Sequence, residues 1–112
     1  MKNYNKKPVP LEKEIQSSIC EYLDLRNVFF WRQNTSPVFN QNAGMYQAMP
    51  KYALRGVPDI IVIKKGKFIG LECKRPGAKQ SEHQLLFQDN CERNDGEYYI
   101  VTSIEDVQKI GL

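Results

Sequence analysis

The amino-acid sequence predicts a single α/β domain with elements in the order α-β-β-β-α-β-α. Three observations carry this reading. The chain is 112 residues long, the size of one ordinary domain. Two long stretches space their apolar residues as an amphipathic helix does. Four short runs rich in β-branched and aromatic residues are set off by Gly, Pro and Asp-Gly punctuation, as strands are.

Taken in order, residues 1–9 are polar and expected to form a flexible N-terminal arm, and residues 10–112 the folded domain. Residues 10–26 are helical, with Ile15, Ile19 and Leu23 at i, i+4, i+8. Residues 28–34 (VFFWRQN) form a strand. Residues 35–56 show no clear period and are rich in Asn, Gln, Pro and Gly; an irregular stretch this long is more often functional or mobile than a plain connector. Residues 58–63 (PDIIVI) contain a continuous apolar run, as a buried strand does. Lys65-Gly66 is a tight turn and residues 68–74 the partner strand, broken by Arg75-Pro76-Gly77. Ser81 to Asn94 is the second helix, with Phe87 and Cys91 on one stripe. Residues 97–102 (EYYIVT) are the last strand, and Ser103 caps a short helix that ends by Gly111.

Composition narrows the function classes. With 41% hydrophobic and 26% charged residues the chain is ordinary for a globular protein. No apolar run approaches the roughly 18–20 residues of a membrane span, and the basic N-terminus lacks the apolar stretch of a secretory signal. Three cysteines cannot pair fully, which points to a reducing, cytoplasmic setting. A zinc site built from Cys20, Cys73, His83 and Cys91 matches no known spacing; Cys20 and Cys73 read as core. The net charge of +3 is unevenly spread. Residues 26–79 hold ten Lys/Arg against two Asp/Glu, a local excess of +8, while residues 80–112 carry a net −5. A basic middle suits a polyanionic partner, most commonly nucleic acid.

The two acids of that basic segment are Asp59 and Glu72. If Lys65 and Gly66 form the hairpin loop, Lys64 faces Lys67, and the same register sets Asp59 opposite Glu72, about 5 Å apart at Cβ. Lys74 projects to that face two residues on. Opposed like charges need neutralising. A hard divalent cation such as Mg²⁺ does this; so does a plain ion pair with Lys74. Glu12 falls within the core-facing stripe of the first helix, either completing a metal site or fraying into water at the helix start. Gln84 faces the site or closes a capping box with Ser81. Phe29, Phe30 and Trp31 stack on bases or fill the core. Arg32, Arg55, Lys64, Lys65, Lys67, Arg75 and Lys79 are candidate phosphate contacts or solvated surface charges.

Gly56-Val57-Pro58-Asp59 followed by Glu72-Cys73-Lys74 is similar to the G-x-P-D … E-x-K signature of PD-(D/E)XK nucleases. The closer resemblance is to their stand-alone VRR-NUC branch, found in phages and bacteria. It is supported by Glu12-Lys13-Glu14-Ile15-Gln16, Trp31-Arg32-Gln33-Asn34, residues 55–61, residues 71–77 and residues 81–87. The resemblance implies an αβββαβ core, a mixed sheet flanked by helices, and Mg²⁺- or Mn²⁺-dependent phosphodiester hydrolysis. Asp59, Glu72, Glu12 and the main-chain carbonyl of Cys73 would hold metal, Lys74 would act on the attacking water, and Gln84 would match a downstream Gln. Asn34 joins Arg32, Arg55, Arg75 and Lys79 as nucleic-acid contacts. Small stand-alone members resemble Holliday-junction resolvases, which implies a homodimer cutting branched DNA at four-way junctions. Two alternatives stand beside this expectation: a restriction- or repair-type nuclease on linear, nicked or flap DNA, and a non-catalytic nucleic-acid-binding module.

Overall fold

A computed structural model describes residues 8–33, 39–40, 45–46 and 49–112. Residues 1–7 of the expected arm, Asn34 and much of the 35–56 stretch lie outside the described residues. The chain forms α1 (Glu12–Leu25), β1 (Phe30–Arg32), β2 (Phe39–Asn40), β3 (Met45–Tyr46), β4 (Ile60–Lys64), β5 (Lys67–Cys73), α2 (Glu82–Arg93), β6 (Glu97–Val101) and α3 (Ile104–Lys109). The predicted α/β class holds, and every expected helix and strand is present.

One mixed sheet has the order β1-β4-β5-β6. The first two pairings are antiparallel and β5–β6 is parallel, with α2 in the crossover. Lys65 and Gly66 take φ values of 52° and 79°. These left-handed angles are what a two-residue type I′ hairpin turn demands at both loop positions. The turn sets Lys64 opposite Lys67 and carries the register back to Ile60 opposite Leu71.

That register sorts the side chains onto two faces. Ile60 and Val62 of β4, with Ile69, Leu71 and Cys73 of β5, pack against Ile15, Ile19 and Leu23 of α1 and Val107 of α3. Each fully buried aliphatic side chain there contributes about 1.5–3 kcal/mol. On the opposite face α2 lies over the sheet, its Phe87 ring 6.3 Å from that of Phe68 and 6.2 Å from that of Tyr98. Asp59 and Glu72 belong to this second face by the same register.

The structure departs from the sequence reading in three places. The stretch at 35–56 contains a small antiparallel hairpin, β2–β3, that was not expected. Strands of two residues are too short to carry an alternation. The first strand is shorter than the seven residues expected, spanning Phe30–Arg32. Its aromatics also split: Phe30 packs on the core, whereas Phe29 and Trp31 are exposed. The core alternative therefore holds for Phe30 alone.

Candidate functional site

Asp59 immediately precedes β4, and Glu72 is the penultimate residue of β5. The hairpin register brings them together, and the first turn of α1 adds Glu12. One carboxylate oxygen from each of Glu12, Asp59 and Glu72 lies within 4.8 Å of the other two. Among the described residues this is the one group of His, Cys, Asp or Glu side chains so placed. The acids differ sharply in environment: Glu12 is exposed, Asp59 half-buried and Glu72 buried, with 1% of its surface accessible. Glu12 thus combines both alternatives weighed for it, reaching solvent in the first helical turn while standing at the cluster.

Each carboxylate is held by its own backbone context. Asp59 Oδ2 accepts from the Cys73 N–H at 2.9 Å, so the strand beside Glu72 orients it. The Asp59 carbonyl accepts from the Gln33 N–H at 2.8 Å, extending the β1–β4 ladder to the edge of the site. Glu72 Oε1 accepts from Gln84 Nε2 at 3.0 Å. Gln84 performs both roles foreseen for it. Its Oε1 accepts from the Ser81 N–H at 2.8 Å while the Ser81 hydroxyl accepts from the Gln84 N–H at 3.2 Å, a complete capping box. With the amide oxygen engaged by a backbone donor, the amide NH₂ is left to face Glu72.

The other oxygen, Glu72 Oε2, is buried and has no hydrogen-bond partner among the described residues. A buried unsatisfied carboxylate oxygen is costly. Burial, then the neighbouring Asp59 carboxylate, push the Glu72 carboxyl from 4.5 up to about 9; Lys74 opposes this and Glu12 adds to it. A divalent cation is the natural partner for such an oxygen, since it favours ionised carboxylates over protonated ones. The donor set is all oxygen, as Mg²⁺ and Mn²⁺ prefer. A cavity of about 170 Å³ lined by Glu12, Lys13, Gln16 and Asp59 opens beside the cluster. The residues present therefore fit the group that the resemblance implies. Lys74, 9% exposed, follows β5 directly, its N–H donating to the Val101 carbonyl at 3.0 Å.

Without divalent cations, Glu72 makes stability depend on pH with a definite sign. The folded state keeps the proton up to about 9 while the unfolded chain releases it near 4.5. Between these values the folded state binds more protons, so stability falls as pH rises. Glu72→Gln, which keeps the Gln84 contact through its own carbonyl, is expected to flatten this slope and to be the more stable protein at pH 8 in EDTA. Urea unfolding at a series of pH values checks this; parallel slopes would refute it.

The expected phosphate contacts are more dispersed. Arg32 projects from the opposite side of β1 and donates to Gln16 Oε1 at 2.9 Å. Arg75 is exposed and donates to the Val9 carbonyl at 3.4 Å. Lys79 is exposed. Arg55 lines an apolar cavity of about 580 Å³ with Leu54, Phe68, Leu86 and Phe87. Asn34 lies outside the described residues. Cys20, Cys73 and Cys91 are free thiols, and Cys73 is buried in the core as expected.

Sequence reasoning missed one positioning residue, Gly56. Its φ is +75°, and a Cβ there would sit 2.3 Å from the backbone carbonyl of His83 and 2.7 Å from the Gln84 nitrogen. The segment leading to Asp59 thus presses directly on the first turn of α2, beside the residue that holds Glu72. The signal lay in Gly56-Val57-Pro58-Asp59, but a sequence does not show what the glycine must approach.

A solved structure described as "VRR_NUC domain" is similar to this chain, with a TM-score of 0.62 and 20% sequence identity, covering 88% of this chain and 91% of that one. The fold is therefore that of a VRR_NUC domain, a nuclease-like α/β fold. No family model and no curated protein matches the chain by sequence. Among the described residues no helix is long and apolar enough to cross a membrane.

Proposed function

We propose that the protein is a metal-dependent DNA endonuclease that hydrolyses phosphodiester bonds in branched DNA, acting on four-way junctions as a homodimer. The observation that carries the reading is the Glu12–Asp59–Glu72 cluster, in which a buried Glu72 oxygen lacks a partner among the described residues. Asp59, Glu72, Glu12 and the Cys73 carbonyl would hold Mg²⁺ or Mn²⁺, which when bound polarises a phosphoryl oxygen and acidifies water.

The chain's own residues supply the rest. Asp59, fixed by the Cys73 N–H, and Glu72, fixed by Gln84, present their oxygens without reorganising. Lys74 orients the attacking water or stabilises charge developing on the phosphate. Arg32, Arg55, Arg75, Lys79 and Asn34 are assigned to the DNA backbone, in keeping with the +8 excess of residues 26–79. A homodimer would present two sites about a two-fold axis, matching paired incisions on a two-fold-symmetric junction.

The test is cleavage of labelled four-way junction, linear, nicked and flap DNA at fixed salt with Mg²⁺ or Mn²⁺. Preferential paired cuts in the junction support the full reading. Preference for linear, nicked or flap DNA transfers the assignment to a restriction- or repair-type nuclease, and binding without cleavage of any substrate to a non-catalytic module.

A further inference from the structure

The edge strand β1 and the residue preceding it carry two large, solvent-exposed aromatic side chains, Trp31 and Phe29, on the side of the sheet that holds Asp59 and Glu72. Phe29 is 68% and Trp31 42% exposed, their ring centroids 6.1 Å apart and tilted by 57°. Their face follows from the register. Trp31 pairs with Ile61, and the Gln33 N–H donates to the Asp59 carbonyl. Alternation therefore puts Phe29, Trp31 and Gln33 on the side of the sheet that holds Asp59 and, through the hairpin, Glu72. Strand spacing and rise place the Trp31 Cα about 8 Å from that of Asp59. This is about two stacked nucleotide steps at roughly 3.4 Å each.

The ring is also pre-set. The Trp31 indole N–H donates to Gln33 Oε1 at 2.9 Å, which satisfies its polar edge within the protein. The surrounding segment is strongly basic, complementary to a nucleic-acid backbone. An apolar protein partner would gain nothing from that charge.

We infer that Phe29 and Trp31 form a stacking platform for unpaired DNA bases next to the scissile phosphate. This deepens the proposed nuclease reading and rests on it for the position of that phosphate. Bases inside a duplex already stack on one another and leave no face for the platform. Those at a junction centre, flap base or gap do. The platform thus selects DNA with locally unpaired nucleotides over continuous duplex.

Trp31 is the only tryptophan in the chain, so its fluorescence reports on the platform alone. The full chain is titrated in EDTA, where no metal-dependent cleavage occurs, with a short thymidine oligonucleotide and with a blunt duplex of two fully complementary strands of similar charge. Saturable quenching by the single strand and little by the duplex is expected. Phe29→Ala combined with Trp31→Ala removes the fluorophore, so the variants and the wild type are compared by anisotropy of dye-labelled DNA; it should weaken single-strand binding about tenfold to hundredfold and leave duplex binding within about twofold. Trp31→Phe, which keeps a ring, should restore most of the affinity. Equal losses for both probes, or no loss, would overturn the inference. So would dissociation of a dimer in the double variant with single-strand affinity unchanged, because the aromatics would then cover a second copy. Failure of the nuclease reading is separable: quenching would persist while no DNA is cut in Mg²⁺ or Mn²⁺.

Discussion

Replacing Lys74 with alanine is expected to lower the rate of DNA cleavage about 10²–10⁴-fold while leaving divalent-cation affinity nearly unchanged. The magnitude is that of removing a positioned proton-transfer or charge-stabilising group. The separation of effects follows from the site's layout. The three carboxylates that would hold the ion are Glu12, Asp59 and Glu72, and Lys74 contributes a cation beside them. Single-turnover cleavage at saturating DNA and Mn²⁺, paired with a Mn²⁺ titration, reads the two quantities independently. A parallel loss of metal affinity would move Lys74 from chemistry to support of the acids. Full activity would remove it from the site.

The second large effect concerns stability. Gly56→Ala combines a left-handed φ of +75° with a Cβ placed 2.3 Å from backbone atoms of His83. Backbone atoms cannot rotate away, so either the 55–57 segment or the first turn of α2 must move. Strain and overpacking together are expected to cost about 3 kcal/mol. For a domain of this size that lowers the melting temperature by roughly 15 °C. Gly66→Ala is the control, because its φ of +79° is similar but nothing lies within 4 Å of the added Cβ. It should cost about 1 kcal/mol, from conformation alone. Equal melting temperatures for the two variants would show that the close approach to α2 is not what Gly56 provides. Any surviving Gly56→Ala protein should also have a weakened Gln84–Glu72 contact, since Gln84 sits in the displaced turn.

These effects rest on features that the sequence reveals unequally. The Asp59–Glu72 juxtaposition was legible because a two-residue loop admits one register, and Lys65-Gly66 is suited to that loop. The capping box was legible because Ser81 and Gln84 stand three residues apart. That the box and the Glu72 contact coexist was not, since it depends on which end of one amide faces which neighbour. The stripe of Ile15, Ile19 and Leu23 announced α1 and its buried face. Glu12 fell on the same stripe, yet its exposure depends on how far the first turn overhangs the sheet edge. The partners of Gly56 belong to a helix more than twenty residues away, and no local pattern encodes them. The exposure of Phe29 and Trp31 has the same origin: aromatics read as core unless the edge position of their strand is known. Residues 26–79 have a bulk charge of +8. The fold shows where its two acids go, beside Glu12.

The most direct measurement of the central claim is calorimetric binding of Mn²⁺ to the wild-type protein and to Asp59→Asn. Asparagine retains a carbonyl oxygen to accept from the Cys73 N–H, so the strand ends stay in place while one anionic ligand is lost. The cluster predicts specific binding to the wild type, with affinity at least about tenfold weaker in the variant. Identical binding by both proteins, or none by either, would contradict the assignment of Glu12, Asp59 and Glu72 as a metal centre.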